Sequence, residues 1–113
     1  MKINYNNKRF RPVSNTENGE TSSDTIFKYR QQNNIVTADY SGGQIVTGHL
    51  IGLVDGDGNI NMRYHQVNLN GEIMTGKCNS APKILVDGKI QLIESWEWTS
   101  GDFSKGESII EEI

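Results

Sequence analysis

Turn residues punctuate this chain at nearly regular intervals, and that punctuation constrains its fold more than any other feature. The candidate turns are Asn6-Asn7, Gln32-Asn33-Asn34, Ser41-Gly42-Gly43, Asp55-Gly56-Asp57-Gly58, Asn70-Gly71, Asp87-Gly88 and the stretch from Gly101 to Gly106. Asn-Gly and Asp-Gly pairs accept the positive φ angles that tight hairpins demand. Between the turns lie short segments rich in Ile, Val, Thr and Tyr, residues that suit a pleated, half-buried surface. The pattern predicts strands at about 2–5, 8–13, 24–31, 35–41, 44–54, 59–67, 72–79, 89–99 and 106–112. No segment carries a convincing helical period. The helix formers of "SIIEEI" at the C-terminus follow a glycine-bearing turn and read as a last strand.

At 113 residues the chain reads as one domain, residues 1–113. Within it we expect an N-terminal hairpin at 1–13, a polar loop at 14–23 ("SNTENGETSS") and a meander at 24–113. An open meander leaves two unpaired edges, and closure removes both. The expected fold is therefore all-β: an antiparallel up-and-down meander closing into a barrel of about eight strands, a size that can hold one small ligand. The hydrophobic fraction of 35% agrees, because a closed sheet needs apolar residues only on alternate positions.

The formal net charge is −3 and no basic run occurs, which argues against nucleic acid as a partner. No apolar run approaches the roughly 20 residues of a membrane helix, and no outer apolar band marks a membrane barrel. The opening "MKINYNNKRF" has no apolar h-region, so no signal peptide is expected. Cys78 is the only cysteine, so no internal disulfide can form, which fits a cytoplasmic location.

Period-two alternation assigns faces. Phe27 and Tyr29 oppose Lys28 and Arg30; Val36, Ala38 and Tyr40 oppose Thr37 and Asp39. Met62, Tyr64 and Gln66 oppose Arg63 and His65; Leu92, Glu94, Trp96 and Trp98 oppose Gln91, Ser95 and Glu97. The more apolar set of each should face in. The resulting lumen is lined by Phe27, Tyr29, Tyr40, Met62, Tyr64, Trp96 and Trp98, with Gln66 and Glu94 as polar members. In 44–54, Leu50 is taken as inward and His49 as outward. Gly48 and Gly52 then either make room for aromatics or mark bulges.

Two readings of this lumen stand side by side. Large aromatics commonly fill small barrels. Yet tyrosine hydroxyls, indole N–H groups, Gln66 and Glu94 on an inner face need partners, which a ligand can supply. Other chemistry is thin. His49, His65 and Cys78 lack the spacing of a metal site, "DGDGN" at 55–59 lacks the closing glutamate of a calcium loop, and Cys78 and His65 are diagonal neighbours at best. No metal or cofactor is expected.

The stretches "NIVTADYSGGQI", "GHLIGLVDGDG", "MRYHQVNLNGEIMTGKC" and "SWEWTSGDFSKGESIIEEI" resemble a family of small bacterial proteins, over nearly the whole chain. Members often carry the label N-acetylglutamate synthase. An acetyl-coenzyme-A-dependent enzyme needs a glycine-rich loop entering a helix to cradle the pyrophosphate, and no stretch here has that pattern. The meander with "WEWTSG" also resembles the avidin and streptavidin class, in which a tryptophan strand ending in such a turn helps wall a pocket. That resemblance implies an avidin- or lipocalin-like barrel. It carries over to Trp96 or Trp98 and to Thr99-Ser100-Gly101; the polar biotin contacts of that class have no counterpart that can be placed.

The leading expectation is a non-enzymatic barrel that binds a small, partly apolar ligand through Tyr29, Tyr40, Tyr64, Gln66, Glu94, Trp96 and Trp98. One alternative is a small enzyme using Glu94 with Arg63 or His65 on a carbonyl or acyl substrate. The other is a structural module with a filled barrel and a homodimer surface.

Overall fold

The computed structural model describes residues 3–113. Its strands are β1 (Lys8–Asn15), β2 (Ile26–Gln32), β3 (Ile35–Gly42), β4 (Ile45–Val54), β5 (Ile60–Asn68), β6 (Ile73–Ile84), β7 (Ile90–Trp98) and β8 (Lys105–Glu112). Each pairs antiparallel with the next, and β8 pairs with β1, so the sheet closes into an eight-stranded barrel. The described residues contain no helix. Every predicted turn holds a residue of positive φ: Asn7, Asn33, Gly43, Gly58, Gly71, Gly88 and Gly101. Local turn chemistry therefore sets where the chain reverses.

Two expectations need correction. Among the described residues the N-terminal hairpin does not form. Residue 2 lies outside the described residues, and 3–5 are not in a strand. β1 instead closes the barrel, pairing Phe10 with Phe27 of β2 and with Glu112 of β8. Closure satisfies both backbone edges of β1, which a detached hairpin leaves open. The second correction is β6, which continues past residue 79 to Ile84 despite Pro82. Pairing with β5 ends at Ser80, whereas pairing with β7 runs to Ile84. Pro82 thus lies where one side of β6 has no partner strand, and its missing N–H costs no ladder bond. Pro12 is accommodated at the register shift between β1 and β8.

The alternation assigns the faces as expected. Met62 and Gln66 are buried, while Arg63 and His65 are exposed on the outer wall. Gly48, Leu50 and Gly52 face in. His49 and His65 stack on the outside, ring centroids 5.6 Å apart.

The two ends of the barrel differ. One is plugged by the N-terminal segment: Tyr5 is fully buried, its hydroxyl donates to the Gly58 carbonyl at 2.6 Å, and its ring packs near Phe10 and Tyr29. At the other end the inner face is aromatic, and three of its large rings lie over glycines. Tyr40 covers Gly48, Tyr64 covers Gly76 and Trp96 covers Gly106, each pair being register partners on adjacent strands. A β-carbon at any of these glycines would collide with the ring. The glycines of β4, β6 and β8 therefore make space for aromatics of β3, β5 and β7.

Candidate functional site

The segment between β1 and β2 crosses the aromatic end of the barrel as a strap. Its anchors are specific. The Trp98 indole N–H donates to the Asn18 carbonyl at 3.0 Å, and Asn18 Nδ2 donates to the Lys105 carbonyl at 2.8 Å. Gln66 Nε2 donates to one oxygen of Glu20 at 2.7 Å, and Asn68 Nδ2 to the other at 2.8 Å. Asn15 Nδ2 reaches Thr21 Oγ1 at 2.8 Å. A polar segment with almost no apolar residues can lie here because its carboxylate and carbonyls are satisfied by side chains of the barrel mouth.

Beneath the strap is a cavity of about 50 Å³, walled by Phe27, Tyr40, Leu50, Met62, Tyr64, Trp96 and Trp98. Trp96 and Trp98 meet edge-on with centroids 5.5 Å apart, and Tyr64 meets Trp98 at 5.8 Å. Phe27 and Tyr40 stack at 4.6 Å. Trp96 and Trp98 are alternate inward positions of one strand and Phe27 and Tyr40 are register partners on adjacent strands, whereas Tyr64 of β5 and Trp98 of β7 meet across Gly76 of β6, the register partner of both.

Glu94 also lines this cavity. Its two oxygens accept hydrogen bonds from Ser80 Oγ and Ser108 Oγ, both at 3.0 Å. Both serines are register partners of Glu94 on the flanking strands. Burial pushes the Glu94 carboxyl up to about 7, and the two serine hydrogen bonds pull partly against that rise. Glu94 thus titrates near neutrality. Farther up, the Tyr40 hydroxyl donates to Gln66 Oε1 at 2.8 Å, and the amide passes the chain on to Glu20. Tyr40 and Tyr64 are shifted upward, mainly by burial, so their phenols stay protonated. Cys78 faces in beside Ser80, and burial above all raises its thiol.

Of the sequence-predicted site residues, Tyr40, Tyr64, Gln66, Glu94, Trp96 and Trp98 line one cavity. Tyr29 is fully buried among Tyr5, Phe10 and Phe27, on the plugged side, and is not part of that lining. Its hydroxyl has no hydrogen-bond partner among the described residues. Arg63 and His65 project from the outer wall, so the barrel wall separates them from Glu94. His65 and Cys78 lie on opposite faces of the sheet.

Sequence reasoning missed Glu20, Asn15, Ser80 and Ser108. The serines could have been found by pairing the hairpins outward from Asp87-Gly88 and Gly101–Gly106, which sets both opposite Glu94. Glu20 offered one weak signal: an acidic residue in the one connection too long for a hairpin turn.

The comparisons with known proteins agree with this architecture. No curated protein and no solved structure matches the chain. The family comparison does: residues 3–113 match the family described as Avidin-like protein. With the match running from the plug through the closing strand, the chain belongs to the avidin-like family.

Proposed function

We propose that this protein binds a small, partly apolar ligand inside the barrel, at the end covered by the strap, without chemical turnover. Trp96, Trp98, Tyr40 and Tyr64 form the walls, and Gln66 and Glu94 orient the ligand. The observation that carries this reading is Glu94: a carboxylate buried on the wall of an unfilled space in an otherwise aromatic lumen. A barrel filled only for stability gains nothing from a buried carboxylate, since an apolar side chain of similar volume avoids its desolvation cost. The plugged half, by contrast, is built on Tyr5, Phe10 and Tyr29, none of them charged.

The cavity of about 50 Å³ is smaller than a typical ligand pocket of roughly 300–1,000 Å³. The ligand is therefore either very small or binds with the strap displaced. The enzymatic alternative lacks support, because Arg63 and His65 lie outside and the Cys78 thiol is held protonated by burial. The test is intrinsic tryptophan fluorescence against a metabolite library, with Trp96→Phe and Trp98→Phe as controls. A saturable change lost in one variant supports lumen binding. A flat response to every compound favours a filled structural barrel.

A further inference from the structure

The charge inside the lumen has one sign. The charged side chains on the cavity wall are Glu94 and Glu20, and among the described residues no lysine, arginine or histidine joins them. Around these carboxylates stand aromatic rings in differing orientations: Trp96 and Trp98 at 63°, Tyr64 and Trp98 at 68°. Ring faces carry partial negative charge and attract cations.

We propose that the lumen selects a small organic cation, an ammonium-bearing molecule, over neutral or anionic molecules of the same shape, with Glu94 as its counter-charge and the rings as its cage. This rests on the lumen being the binding site.

Hydrogen-bond capacity points the same way. Each Glu94 oxygen accepts from one serine, leaving lone pairs free for a donor. Asn15 Oδ1, another acceptor on the cavity wall, is buried with no donor among the described residues. An ammonium group brings three N–H donors and the charge that offsets burying a carboxylate. An anion would instead meet two carboxylates in a desolvated space with no positive partner. A neutral alcohol brings one donor and no charge, so it adds a single hydrogen bond to its apolar burial and leaves the buried carboxylate uncompensated.

The test is an NMR titration of the intact chain, following the indole N–H signals, with three probes of one shape: propylammonium, 1-propanol and propionate. The expected result is saturable shifts with propylammonium, binding at least about tenfold weaker for the other two, and a loss of about tenfold or more for propylammonium in Glu94→Gln. Glu94→Gln keeps the side-chain shape, and a thermal melt of that variant checks that it is folded. The wild-type probe series stands even if the variant is not. Equal or tighter binding of 1-propanol or propionate overturns the cation assignment while leaving lumen binding intact. Propylammonium binding unchanged in a folded Glu94→Gln also overturns it, because the cation then sits elsewhere. Silence from all three probes overturns it too, and the metabolite library then decides separately whether the lumen binds anything.

Discussion

Trp96 on β7 and Gly106 on β8 are register partners, and the indole occupies the space that a β-carbon on residue 106 would need. The glycine is thus part of the pocket wall, though it contributes no side chain. Gly106→Ala should force the indole toward the cavity and cost about 1–3 kcal/mol of stability, as overpacking does. Pairing it with Trp96→Leu should recover part of that loss, because the smaller side chain vacates the space. Denaturant unfolding of both single variants and the double variant measures the coupling. Additive losses would mean that the ring and the glycine do not compete for space.

Glu94 makes stability depend on pH in an unusual direction. Its folded value of about 7 lies above the ordinary 4.5. Between those values the folded chain holds a proton that the unfolded chain releases, so stability falls as pH rises and the loss is complete above about 7. The full effect is on the order of 3 kcal/mol. Cys78, Tyr29, Tyr40 and Tyr64 share this interior and are all shifted upward, so they stay neutral through the window. Asp55 and Asp102 are held below 3.8 by hydrogen bonds within their turns and act at lower pH. Glu94→Gln should remove the fall between pH 5 and 7. Melts across that range that slope equally in wild type and variant would refute the assignment.

Glu20 latches the strap. Glu20→Ala removes the acceptor of Gln66 Nε2 and one acceptor of Asn68 Nδ2. Asn68 keeps its bond to Glu72, so the loss should be modest, about 1 kcal/mol for a partly exposed carboxylate. The strap itself should open far more readily. Amide hydrogen exchange should accelerate across residues 16–25 and stay unchanged in β4 and β7. Uniform acceleration over the whole barrel would mean that Glu20 supports the fold and is no latch.

Tyr29 carries a buried hydroxyl with no partner among the described residues. Tyr29→Phe should therefore leave stability unchanged or raise it by up to about 1 kcal/mol, since removing an unsatisfied group removes its desolvation penalty. A clear destabilisation in chemical denaturation would show that the hydroxyl has a bonded role.

The legible part of the site followed from its periodicity. Tyr64 and Gln66, or Glu94, Trp96 and Trp98, share a face because a strand alternates, whatever the strand lies beside. The same logic put Arg63 and His65 outside once the neighbouring apolar set was taken as inward. Tyr29 was assigned the correct face but the wrong half of the barrel. Alternation reports which side of a sheet a residue occupies and says nothing of its depth along the lumen. Depth came from Tyr5, which plugs the end of the barrel that Tyr29 approaches.

Turn positions, strand order and inward faces were determined by the sequence itself, because each depends on residues close together in the chain: positive φ at Asn-Gly and Asp-Gly, and a two-residue repeat. Two features were decided only by tertiary structure. β1 leaves its expected hairpin to close the barrel against β8, 104 residues away at the Lys8–Glu112 ion pair. Glu20 reaches Gln66 and Asn68 across the mouth. The physical reason is common to both. Unpaired strand edges and buried polar groups must find partners, and which partners they find depends on how the whole sheet curves and closes.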